Sequence, residues 1–175
     1  AEEKKSMRKM SREAIMELNN RWLDQMASTD GVLRERMSLF WHNHLVCSSQ
    51  NVSFLESYLH TIRKYSLGNF GDMLHAVAKE PAMLLYLNNQ QNVKDRPNEN
   101  FARELMELFT LGIGNYSEED IKNAARAFTG WGIRNGEFVL RQRLHDEGSK
   151  TFFGETSNLQ GEDIIDILLS KKQTS

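Results

Sequence analysis

The sequence predicts a mainly α fold: an irregular multi-helix bundle with one small β-hairpin near residues 131–143. Three observations predict it. Only two prolines and eleven glycines punctuate 175 residues, which disfavours a turn-rich β architecture. Apolar residues recur at helical spacing along most of the chain. One turn pair, Asn135-Gly136, stands between two short apolar segments, the pattern of a two-residue hairpin.

Taken in order, Ser11 can cap a helix whose apolar stripe is Ile15, Leu18, Trp22 and Met26. Thr29, Asp30 and Gly31 break it, and a second helix runs over about 32–46. The polar residues 48–51 connect to a third, through Phe54, Leu55, Tyr58, Leu59 and Ile62, with Gly68 placed for a left-handed C-terminal cap. Phe70, Met73, Leu74 and Val77 mark a fourth helix, which must stop before Pro81. Residues 82–87 form a short helix and 88–96 a polar loop. Residues 97–112 read as one amphipathic helix closed by Gly112 and Gly114. Ser117 and Asp120 form a capping box for a helix through Phe128. After the hairpin come a glycine-punctuated loop, 145–161, and a last helix through Ile164, Ile165, Leu168 and Leu169.

A chain of this length fits one domain, which buries roughly 70% of its unfolded surface, so residues 1–175 read as a single helical domain. Its 39% hydrophobic and 26% charged content is that of an ordinary globular protein. A net charge of −2 argues against a general nucleic-acid binder. The basic lean of Lys4, Lys5, Arg8, Lys9 and Arg12 reads as a solvated helix face. The single cysteine, Cys47, excludes an internal disulfide and reads as a buried, inert thiol. No run approaches the roughly 18 apolar residues of a membrane span. The N-terminus lacks the apolar core of a signal peptide, although a precursor that has lost its leader would look the same.

Residues 97–112 carry the densest ionisable cluster. At about 100° per residue, Phe101, Leu105, Leu108 and Phe109 share one face. Glu99, Arg103 and Glu107 fall opposite, spaced so that Arg103 can pair with both carboxylates on a solvated face. Glu104 lies at the edge of the apolar stripe. A carboxylate there is partly desolvated and needs a partner, so a functional role and a structural salt bridge stand side by side.

The run Trp41-His42-Asn43-His44 invites a metal reading, but residues two apart on a helix point about 200° away from each other. Leu33, Met37, Phe40 and Trp41 form a stripe with His44 in its middle, making His44 the inward candidate and sending His42 to the other face. The loop His145-Asp146-Glu147-Gly148-Ser149-Lys150 offers a base, a ligand or an anion contact, or a polar surface turn. Arg126 is placed to neutralise a buried carboxylate. His60 and His75 lack a supporting constellation. No nucleotide-binding glycine loop, His-Glu-x-x-His or nucleophile elbow occurs, and no exposed aromatic platform is expected.

Four stretches carry a family resemblance: Trp41-His42-Asn43-His44; Asn98-Glu99-Asn100-Phe101-Ala102-Arg103-Glu104-Leu105-Met106-Glu107-Leu108-Phe109-Thr110-Leu111-Gly112; Ala125-Arg126-Ala127-Phe128-Thr129-Gly130-Trp131; and His145 to Lys150. Over roughly residues 30–170 the chain resembles a bacterial family catalogued as domain of unknown function 1800. The resemblance implies a helical fold, extracytoplasmic residence and longer relatives, of which this chain would be a segment lacking family sequence at both ends. It supplies no catalytic residues. It singles out His42, His44, Glu99, Arg103, Glu104, Glu107, Arg126, His145, Asp146 and Lys150.

Two readings follow. The leading one is a helical structural or binding domain with a semi-buried polar cluster of His44, Glu104, Arg126 and the 145–150 loop, with Arg103, Glu107, Arg126 and Lys150 as binding residues. Its partner would be another protein or the missing parts of the same chain. The alternative is a metal-assisted or acid–base hydrolase, with His44, Glu104, His145 and Asp146 as catalytic candidates. In that reading His44, Glu104 and His145 are divalent-metal ligands within reach of a common point. The binding reading requires instead that these side chains pair off internally or face solvent. Nucleic-acid binding through the basic N-terminus predicts salt-sensitive DNA retention and ranks last.

Overall fold

The structure, a computed structural model, describes residues 2–28 and 30–174, apart from the side chains of Glu3 and Lys4; Thr29, at the expected break, lies outside them. The helices are α1 (Glu2–Ser28), α2 (Val32–His44), α3 (Val52–Tyr65), α4 (Phe70–Ala78), α5 (Pro81–Tyr86), α6 (Asn100–Glu104), α7 (Glu118–Ala127) and α8 (Gly161–Leu169). A π-helical segment, Leu105–Thr110, continues α6. Strands β1 (Trp131–Arg134) and β2 (Glu137–Leu140) pair antiparallel, as do β3 (Lys150–Phe152) and β4 (Glu155–Ser157). No helix among the described residues is long and apolar enough to cross a membrane.

The core gathers around α7, whose Ile121, Ala124, Ala125 and Ala127 are fully buried. Its capping box forms as the sequence predicts, with the Ser117 and Asp120 side chains each satisfying the other's backbone N–H. At its C-terminal end Phe101, Phe128 and Trp131 meet edge to face, with Phe128 4.9 Å from Phe101 and 5.0 Å from Trp131. The start of α8 presses on this cluster, and a Cβ on Gly161 would stand 2.6 Å from both Phe128 and Trp131, so only glycine fits there. The Asn135-Gly136 hairpin forms in the expected register, Trp131 opposite Leu140, and both turn residues have positive φ (54° and 84°).

Several local expectations are corrected. Helix α1 begins at Glu2, leaving Ser11 in its interior, because the Lys, Arg, Met and Glu residues before it are themselves good helix formers. Gly68 is not left-handed; its N–H donates to the Tyr65 carbonyl at 2.8 Å in a tightened last turn. The loop 145–161 contains a second hairpin, β3–β4, which turns through Phe153 and Gly154 with positive φ.

The orientation of α2 is also turned: of the expected inward stripe, Met37 and Trp41 stay partly buried, with Trp41 packed against the core, while the rest faces out. Glu35, Ser38 and Leu45 are buried, whereas Leu33 and Phe40 are 65% and 56% exposed. The cause is a buried carboxylate. Glu35 accepts from Trp22 Nε1 at 2.9 Å, Gln25 Nε2 at 3.0 Å and Arg63 Nε at 3.0 Å, tying α1, α2 and α3 together.

Candidate functional site

The π-helical segment sets the geometry of residues 97–112. Leu111 N–H donates to the Met106 carbonyl, five residues back, at 2.8 Å, and the Thr110 hydroxyl donates to the Leu105 carbonyl at 2.8 Å. A turn with i→i+5 hydrogen bonds is wider than an α-turn and rotates everything after it. Met106 therefore goes fully inside and Leu108, expected in the core, is 51% exposed. Glu107 swings away from Arg103 and accepts from the Tyr116 hydroxyl at 2.6 Å. Arg103 pairs with Glu99 at 3.1 Å and, in place of Glu107, with Glu118 at 2.9 Å.

The two histidines of α2 exchange their expected places, because Glu35 sets which face turns inward. His42 is the inward one, its ring 5.3 Å from Trp22 and 5.8 Å from Tyr58. Burial, partly offset by Asn43, holds its pKa below the ordinary value, and its Nδ1 is buried without a hydrogen-bond partner. His44 is exposed, and its Nε2 lies 3.2 Å from the Phe109 carbonyl at the end of the π segment.

That contact helps to build a pocket of about 450 Å³ walled by Phe40, Trp41, His44, Phe70, Phe109 and Thr110. Trp41 stacks on Phe70 with centroids 5.1 Å apart, and its indole N–H donates to the Ser66 carbonyl at 3.2 Å. With the half-exposed Phe40 at the rim, the protein does present an aromatic platform. A second pocket, about 320 Å³, shares Phe109 with the first and is lined by Glu104 with Val46, Tyr86, Asn100 and Leu108. Glu104 is partly buried, and its carboxylate makes no hydrogen bond or ion pair among the described residues.

The 145–150 loop lies elsewhere and is internally satisfied. Arg126 grips Asp146 through Nε at 2.8 Å and Nη2 at 3.3 Å, and Asp146 accepts from the Gly148 N–H at 2.7 Å. Burial pushes the Asp146 carboxyl up, but Arg126 and the Gly148 N–H outweigh it and hold the pKa below the ordinary value. Lys150 is 1% exposed and spends its ammonium on the Asp146 and Gly148 carbonyls and Asn158 Oδ1, at 2.6, 2.9 and 3.1 Å. His145 is 2% exposed, with Nδ1 2.7 Å from the Thr129 carbonyl and Nε2 buried without a partner.

The sequence candidates thus separate into four places. Arg126, His145, Asp146 and Lys150 come together; His44 and Glu104 line two different pockets that share Phe109; Arg103 and Glu107 belong to a surface ion-pair and tyrosine network. No three His, Cys, Asp or Glu side chains among the described residues are placed to hold one metal ion, so His44, Glu104 and His145 do not form the common centre expected of them. Cys47 is buried, its thiol pushed up to about 12 by burial and by Glu80.

Sequence reasoning missed Glu35 and its partner Arg63, because a pair 28 residues apart leaves no local signal. It also read Asn89 and Asn92 as loop. Both are fully buried, and Asn92 donates to the Ala125 carbonyl at 2.8 Å while accepting from Asn98 N–H at 2.9 Å.

A family model described as a protein of unknown function, DUF1800, matches residues 2–175. The chain belongs to the DUF1800 family. The match extends beyond the 30–170 span that carries the motif resemblance. Neither the curated proteins nor the solved structures yield a match.

Proposed function

We propose that this chain is a binding domain whose recognition site is the pocket at Trp41, taking a flat aromatic group that carries an N–H or O–H donor. One observation carries this reading: the pocket joins aromatic walls to polar groups whose free capacity is to accept. With Nε2–H donating to the Phe109 carbonyl, which can only accept, Nδ1 is the His44 ring nitrogen left to accept. The Thr110 and Thr174 hydroxyls donate to the Leu105 and Leu168 carbonyls and keep their lone pairs. A volume of about 450 Å³ lies in the range of small-ligand pockets.

The internal pairing of Arg126, Asp146 and Lys150 supports the same reading, since a binding domain needs the 145–150 loop only as a brace. Isothermal titration with indole and with N-methylindole tests the site. Indole binds and N-methylindole, which has the same shape but no donor, binds about 3–10-fold more weakly, the worth of one hydrogen bond. Phe40→Ala at the exposed rim weakens both. Equal binding of the two probes, or none of either, contradicts the assignment.

A further inference from the structure

We infer that the pocket lined by Glu104 is an organic-cation site that takes an alkylammonium group, separate from the Trp41 pocket and independent of its ligand. The argument begins with charge. Glu104 is partly buried, yet its carboxylate has no hydrogen bond or ion pair among the described residues. It is not among the fully buried unpartnered atoms, so its oxygens remain reachable. Arg103, its neighbour in sequence, is committed to Glu99 and Glu118, and no lysine or arginine lines the pocket.

The second part is the lining. Asn100 donates its Nδ2 to the Leu87 carbonyl at 3.1 Å, which fixes the amide so that Oδ1 remains as an acceptor. Asn100 Oδ1 and the Glu104 carboxylate therefore give the pocket two acceptors, one of them charged, against the Tyr86 hydroxyl and the second N–H of Asn100 as side-chain donors. Such a lining rejects anions and selects a group rich in N–H. Tyr86, 42% exposed, adds an aromatic face for a cation. Val46, Leu108 and Phe109 supply apolar wall, which suits a methylene stem behind the charged head. The π segment makes this pocket by turning Leu108 outward to its rim.

Either a free alkylamine or a lysine side chain would offer this head and stem. The test is calorimetric titration with n-hexylammonium chloride, n-hexanol and sodium hexanoate, and in parallel with Nα-acetyl-lysine N-methylamide. Hexylammonium binds, hexanol and hexanoate do not compete, and Glu104→Gln lowers hexylammonium affinity about 10-fold or more, the range of a charge-assisted hydrogen bond. Binding of the capped lysine with the same Glu104 dependence assigns the site to side chains; binding of the free amine alone assigns it to small amines. Leu108→Arg, at an exposed position, places a tethered guanidinium at the rim and weakens hexylammonium binding without removing the carboxylate. The inference is overturned if neither amine binds. It is equally overturned if a folded Glu104→Gln protein, with an unchanged amide NMR spectrum away from the pocket, or Leu108→Arg binds hexylammonium as tightly as the parent.

Discussion

Lys150 shows why a chemically suggestive residue need not be reactive. An ammonium that is 1% exposed survives only because three oxygens meet its three N–H bonds. Lys150→Met keeps the stem but strands those acceptors, and lowers unfolding free energy on the order of 2–3 kcal/mol in urea denaturation. A change within about 0.5 kcal/mol would show that the ammonium does not brace the loop. Asp146 makes a pH prediction. A carboxylate whose folded pKa lies below the unfolded value stabilises above about 3.9 and loses that contribution as pH falls through the folded value. Denaturation midpoints measured from neutral to acid pH therefore fall with a steepness that Asp146→Asn reduces. The types and spacing of these residues were legible in the sequence. Their satisfaction was not, because it depends on the backbone carbonyls of Asp146 and Gly148, on Asn158, and on an arginine twenty positions upstream.

At the scale of the element, the π segment decides which side chains reach water. An unbroken α-helix puts Leu108 in the core; the i→i+5 turn puts Met106 there instead. The two geometries predict opposite stabilities. Met106→Ala costs about 2–5 kcal/mol because it empties a filled core site, whereas Leu108→Ala stays below about 1 kcal/mol. Thermal unfolding of the two variants checks this, and the reverse order would restore the α phase. Helix existence along the chain was readable from apolar periodicity, the capping box at Ser117 and the Asn135-Gly136 turn. Helix orientation was not readable for α2. Its outward stripe of Leu33 and Phe40 looks like a core face, and only Glu35, held by Trp22, Gln25 and Arg63 from two other helices, turns it over. Glu35→Ala leaves the Arg63 guanidinium without its carboxylate and destabilises the three-helix junction by about 3–5 kcal/mol.

For the whole molecule, the structure divides brace from surface. Around α7 the polar groups of the 145–150 loop, Arg126 and the buried asparagines hold the two hairpins and the loops to the core. Around Phe109 the C-terminal end of α2 and the π segment open two pockets, one aromatic and one beside a free carboxylate. The most direct measurement of this division is amide and indole chemical-shift mapping by two-dimensional NMR during an indole titration. The account predicts saturable shifts at the Trp41 indole N–H and at Phe40, His44, Phe70 and Thr110, with the signals of 145–150 unmoved. Shifts centred on His145 and Lys150, with Trp41 silent, would contradict it.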